Sequence, residues 1–246
     1  METVSGTRAE AVAIRIRRKE FPALGQRGAN LVLSDVDISI APRSFVVITG
    51  PSGCGKSTLL NIVAGLDREF EGSIVLGPEI RRKTFIFQTP RLLPWRTVAE
   101  NIALSLPEGD PRHALIPDLI ARVGLEEAVD AYPERISLGM QRRVALVRGF
   151  VQEPDLLLMD EPFVSLDDPT AQGLRRVLIG LWHRHRTTVL FVTHDRAEAV
   201  MLGTRVLRLG GGSATVIGDA EVRLSADQRL DADAVRAEVA RIFGDT

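Results

Sequence analysis

An α/β fold with a mixed, mainly parallel sheet follows from three features of the 246-residue sequence. Short β-rich apolar runs alternate with longer helical patterns along the chain. One such run, Phe45-Val46-Val47-Ile48, passes directly into a glycine-rich turn that opens a helix. Two more, Leu156-Leu157-Leu158-Met159 and Thr188-Val189-Leu190-Phe191-Val192, are continuously apolar, as strands buried on both faces are.

Taken in order, the first stretch runs from an apolar strand at Ala11-Val12-Ala13-Ile14 to a strand at Phe85-Ile86-Phe87-Gln88. From about Thr89 to Phe150 helical patterns are interrupted at Pro90, Pro94, Pro107, Pro111, Pro117 and Pro133, with no convincing strand, which reads as a helical insertion. Strands then resume, and Gly210-Gly211-Gly212 marks a hairpin. Asp231 to Phe243 has the pattern of one amphipathic helix. The expected organisation is a single domain over 1–246, with a nucleotide-binding core at 1–88 and 151–225, a helical subdomain at 89–150 and a C-terminal helix at 226–246.

Composition excludes several functions. With 31 basic against 32 acidic residues there is no basic field to attract a nucleic-acid backbone, so no nucleic-acid partner is expected. The single cysteine, Cys54, cannot form an internal disulfide or a multi-cysteine metal site, which fits a reducing compartment. Charges interrupt the first twenty residues, and no apolar run approaches the roughly 18 residues that span a bilayer. Any membrane role must come through a partner.

The chemistry begins at Gly50-Pro51-Ser52-Gly53-Cys54-Gly55-Lys56-Ser57-Thr58, a full match to GxxxxGK[ST] between strand and helix. Glycines let backbone N–H groups converge on phosphate oxygens, the helix N-terminus adds positive potential, Lys56 reaches the β/γ-phosphates and Ser57 ligates Mg²⁺. The expected ligand is a nucleoside triphosphate with magnesium. Further along, the apolar strand Leu156 to Met159 delivers two adjacent carboxylates, Asp160 for the Mg²⁺ shell and Glu161 for polarising the attacking water. His194 follows the strand Thr188 to Val192, where it can touch the γ-phosphate, and Gln88 supplies a neutral amide for magnesium or water. Cys54 is read as an unselected small residue of the loop.

The ordered set Gly50 to Ser57, Gln88, Ser137-Leu138-Gly139, Asp160-Glu161, Ser165-Leu166-Asp167 and His194 resembles the ATP-binding subunit of ATP-binding-cassette transporters, over nearly the whole chain. Phe87 to Trp95, Val98 to Asn101, and Tyr132-Pro133 before Ile136 to Met140 are similar to the nitrate/sulfonate/taurine importer branch. This resemblance implies a P-loop NTPase core with an N-terminal antiparallel β portion and an α-helical signature subdomain. It also implies a head-to-tail dimer in which Ser137, Gly139 and Asp167 of one subunit join the ATP held by the other. Ser137 reads as the N-cap of a helix over Leu138 to Phe150, so its hydroxyl and the Gly139 N–H face a γ-phosphate in trans.

Further expectations come from the resemblance. Phe21, the only aromatic residue of the first forty, would stack on adenine, and Leu92-Leu93-Pro94-Trp95 would form a socket for a cytoplasmic permease helix. Core packing explains the same residues equally simply. The partners would be permease subunits, a second copy of this ATPase and, indirectly, an extracytoplasmic binding protein, with the ATPase on the cytoplasmic face of the cell membrane. Two departures stand out: Leu138 replaces a glycine of the usual signature, and Arg43-Ser44 replaces Gly-Glu before the strand leading to the phosphate loop. The first would slow the sandwich, the second would have little consequence. A soluble cassette of repair or translation, a cassette for another cargo such as a thiamine precursor, and a low-activity regulatory cassette are the competing readings.

Overall fold

The computed structural model describes residues 10–22 and 29–244. In chain order the elements are β1 (Val12–Phe21), β2 (Asn30–Ile40), β3 (Phe45–Thr49), α1 (Lys56–Ala64), β4 (Glu71–Leu76), β5 (Lys83–Ile86), α2 (Val98–Ala103), α3 (Ile116–Arg122) and α4 (Leu138–Phe150). They continue with β6 (Leu156–Asp160), α5 (Asp168–His185), β7 (Thr188–Val192), α6 (Arg196–Leu202), β8 (Arg205–Gly210), β9 (Thr215–Glu221) and α7 (Ala232–Phe243). They form two compact units: one ends at Arg81 and resumes at Thr193, and the other is Arg82–Val192.

In the first unit an antiparallel sheet of order β2-β1-β4 accompanies β3, which pairs in parallel with β8, itself antiparallel to β9. Every residue of β3 is buried, as its unbroken apolar run requires. β1 extends well beyond the apolar start visible in the sequence. Val12, Ile14 and Ile16 face inward, the register against β4 then shifts between Ile16 and Arg18, and Lys19 is carried inside. The Gly210 hairpin joins β8 to β9, and Asp231 caps α7 by accepting from the N–H groups of Asp233 and Ala234.

The turn Ala41-Pro42-Arg43-Ser44 that leads into β3 places Arg43 at φ 60. With proline at the second position and positive φ at the third, it has the form of a turn that favours glycine there. The arginine therefore carries backbone strain of about 1 kcal/mol. This departure touches stability and not phosphate chemistry.

In the second unit β5, β6 and β7 run parallel in that order. β5 stops at Ile86, two residues short of the strand end expected at Gln88. Phe87 leaves the ladder because its ring stacks on Phe85 at 4.3 Å and lies under the Arg91 guanidinium at 3.5 Å. The remainder is helical, as the prolines suggested: α2 opens on a capping box of Thr97 and Glu100, and α4 and α5 on the side-chain caps Ser137 and Asp167.

Candidate functional site

The phosphate loop is shaped by its own few residues. β3 delivers Gly50, the Cys54 N–H closes back on the Pro51 carbonyl at 3.3 Å, and Gly55 starts α1 at φ 103. A Cβ at Gly55 would lie 2.8 Å from Val32 Cγ1 and 2.9 Å from Leu33 Cδ2, so both conformation and space demand glycine. α1 begins without a side-chain cap and without an acidic residue in its first turn, so nothing within the helix neutralises the positive end of its dipole. Lys56 is 5% exposed, and its Nζ donates to the carbonyls of Gly50 and Pro51, both at 2.9 Å. The ammonium is thus held against the loop's own concave backbone. Pro51, Ser52, Gly53 and Ser57 are exposed, Thr58 is half-buried, and Cys54 carries a half-buried free thiol.

The same unit holds Phe21 and His194. Phe21 ends β1 with 41% of its surface exposed, so it is not a core residue. Lys19 Nζ sits 4.6 Å from its ring centroid, pairs with Asp67 at 2.8 Å and donates to the Glu69 carbonyl at 2.8 Å. That buried lysine ties the aromatic ring to the segment leaving α1. His194 is exposed, and its neighbours fix its backbone: the Asp195 N–H donates to the Thr193 hydroxyl, and Asp195 caps α6. The capping role in this segment belongs to Asp195 and not to His194.

In the second unit Gln88 and the carboxylate pair follow the C-terminal ends of neighbouring parallel strands. Ile86 of β5 lies opposite Met159 of β6, and Asp160 is the last residue of β6. The Glu161 N–H donates to the Val192 carbonyl at 3.0 Å, and Glu161 itself stands at φ 42, in the left-handed region. Such strain in a non-glycine residue persists only where its surroundings hold it. The Ser137 Oγ accepts from the Met140 N–H at 3.2 Å, as an N-cap should, and Ser137 is exposed. A Cβ at Gly139 would meet the Thr170 Cγ2 at 2.6 Å, so glycine lets the start of α4 approach the start of α5. Asp167 caps that second helix at Thr170, and the hydrogen bonds from Thr170 hold its carboxyl below the usual range.

The sequence profile of ABC transporters matches residues 33–164, which include the phosphate loop, the signature segment and the carboxylate pair. The chain belongs to the ABC transporter family. The aliphatic sulfonates import ATP-binding protein SsuB of Bacillus subtilis (strain 168) is 45% identical to this ABC protein over 203 residues, covering 80% of this chain and 78% of the relative. SsuB 2 of Burkholderia cenocepacia (strain HI2424) is 39% identical over 236 residues, covering 94% and 85%. Among solved structures, the dimeric bacterial ABC transporter cassette MJ0796 is 29% identical with a TM-score of 0.73, covering 87% of this chain and 100% of that one. A dimer of the same cassette in a post-hydrolysis state bound to ADP and Pi is 28% identical, also at 0.73. As an ATPase of this family, the ABC chain binds and hydrolyses ATP, and its fold is the expected α/β cassette.

Two residues of this ABC chain escaped the sequence reading. Lys19 sits in the charged run Arg17-Arg18-Lys19-Glu20, which looks like a solvated edge until the register shift against β4 turns one member inward. Arg142 lies among charged residues of α4, and only its burial distinguishes it.

Proposed function

We propose that this chain is the motor of an importer that takes up a small sulfonate-like anion through separate membrane permease subunits. The observation that carries this is the phosphate loop with Lys56 folded inside it, in a chain whose relatives are named as sulfonate import ATP-binding proteins. In our reading Lys56 exchanges its two carbonyl partners for phosphate oxygens, and the backbone of Gly50 to Thr58 wraps the phosphates. Ser57, Gln88 and Asp160 offer a hydroxyl, an amide and a carboxylate oxygen, the donor set that suits magnesium. Among the described residues no cluster of three His, Cys, Asp or Glu side chains could hold an ion, which fits a cation bound mainly by phosphate and water oxygens. Bound magnesium would neutralise phosphate charge. Glu161 polarises the attacking water, His194 senses the γ-phosphate, and Phe21 stacks on adenine.

A second copy of the chain supplies Ser137, Gly139 and Asp167 in trans. ATP then bridges the pair, and its hydrolysis releases them. Among the described residues no helix is long and apolar enough to cross a membrane. The family resemblance is what places the subunit on the cytoplasmic face in this reading. The permease contact is assigned to Leu92-Leu93-Pro94-Trp95. Trp95 is 68% exposed, and the turn beneath it is fixed by buried Asn101, which accepts from the Leu93 N–H and donates to the carbonyls of Leu93, Arg96 and Thr97. An extracytoplasmic binding protein would choose the cargo. The competing low-activity cassette is favoured by Leu138 alone, 42% exposed in the first turn of α4 where a glycine would leave the approach open.

ATP hydrolysis measured with and without the permease tests the motor. We expect turnover that the permease stimulates and that Glu161→Gln abolishes. Firm ATP binding without turnover under any partner condition would remove the motor and leave a regulatory cassette.

A further inference from the structure

We propose that Arg142 is a positioning residue for Glu161, clamping the loop that follows Glu161 to the helix that Ser137 caps. Its guanidinium is buried on α4 and donates from both terminal nitrogens, to the carbonyl of Pro162 and, at 2.8 Å, to the carbonyl of Val164. The span it bridges is bounded by two strained residues, Glu161 at φ 42 and Ser165 at φ 62. Each favours relaxing to ordinary backbone, so the loop needs an external hold. The Glu161 N–H is held by the Val192 carbonyl, but beyond it Pro162 has no N–H to give, and the Val164 N–H returns to the Glu161 carbonyl at a long 3.3 Å. Phe163 is anchored by its ring against Phe191, 5.8 Å between centroids, which fixes one side chain but not the backbone carbonyls on either side.

Stability alone is a poor account of this arginine. Its Nε is buried without a hydrogen-bond partner, a cost that an apolar side chain at the same place would avoid. The guanidinium also lines a small cavity with Phe87 and Pro90, on either side of Gln88, and with Pro162 and Phe163. Farther along α4, Arg148 donates to the carbonyls of Pro90 and Arg91. One helix, capped by Ser137, is therefore bonded to the loop after Glu161 and to the loop after Gln88. A shift of that helix when Ser137 meets a γ-phosphate would be carried to the carboxylate of the same chain. This makes the occupancy of one ATP site felt at the other.

The inference rests on Glu161 being the residue that polarises water, and the test separates the two. With the full-length chain, Arg142→Met and Arg142→Lys should lower kcat about 10- to 100-fold, as misplacement of a reacting group by a fraction of an ångström does. KM for ATP should stay within about twofold, because no phosphate contact is lost. Lysine keeps the charge but offers its donors from one nitrogen in place of the planar fork that reaches Pro162 and Val164 from two, so it decides the matter if the methionine variant fails to fold. Glu161→Gln combined with either Arg142 substitution should be no slower than Glu161→Gln alone. Unchanged kcat in folded Arg142→Lys, a loss carried by KM, or losses that add in the double variant would each overturn the inference. Hydrolysis that survives Glu161→Gln removes the assignment of Glu161 and the inference together. An inactive Glu161→Gln beside fully active Arg142 variants removes the inference alone.

Discussion

The phosphate loop and the loop after Glu161 both follow the end of a buried parallel strand, yet they are held in opposite ways. Gly50 to Thr58 is closed by partners within itself: Lys56 reaches carbonyls five and six residues back, and Cys54 bonds to Pro51. Glu161 to Ser165 is strained at both ends and depends on Arg142, twenty residues before Pro162. A locally closed loop keeps its shape whatever the surrounding helices do, whereas a loop held by a distant helix can respond when that helix moves.

The difference can be probed by breaking each side. The largest effect is expected at Lys56→Ala, where hydrolysis should fall at least about 100-fold and stability by about 1 kcal/mol as two loop carbonyls lose their donor. An unchanged denaturation midpoint would mean that the loop keeps its shape without the lysine. Next comes Lys19→Met. It strips the buried partner from Asp67 and the cation from Phe21, and should destabilise the fold by about 3 kcal/mol in denaturant titration. A loss below about 0.5 kcal/mol would mean that Asp67 finds water instead.

The smallest effect concerns His185, which ends α5 with its ring against Phe150 and its Nε2 buried without a hydrogen-bond partner. Burial lowers its pKa, opposed by Glu153 and Asp118 and assisted by Arg184 and Arg122. Because the folded chain resists a proton that the unfolded chain accepts near pH 6.5, no cost exists above that value. Stability should then fall as pH drops from about 6.5 toward the depressed folded value. The loss should stay below about 1 kcal/mol, since the ring is only half-buried and solvent screens it. Replacing His185 with phenylalanine should flatten this acid limb, and an unaltered slope would place the titration elsewhere.

Much of the molecule was legible because local pattern and tertiary outcome agree. β7 occupies Thr188 to Val192 as its apolar run indicated, and α4 begins after Ser137, a residue type that caps helices. The apolar run shows only the start of β1, because charged residues follow from Arg17 to Glu20 and a register shift against β4 between Ile16 and Arg18 reverses which residues face inward. The end of β5 was misplaced for a related reason: Phe87 looks like a strand residue, but stacking with Phe85 and Arg91 draws it out of the ladder. Leu92 to Trp95 could equally have been core or surface, and the structure divides it: Pro94 and Trp95 are exposed, while Leu92 and Leu93 are half-buried.

The sequence by itself determined the phosphate loop between strand and helix and the cap at Ser137, since each depends on residues within a few positions of one another. Only the tertiary structure decided that Lys19 and Arg142, two cations in charged stretches, are buried and bonded to distant backbone. Burial of a charge depends on whether a far segment brings acceptors to it, and no local spacing encodes that meeting.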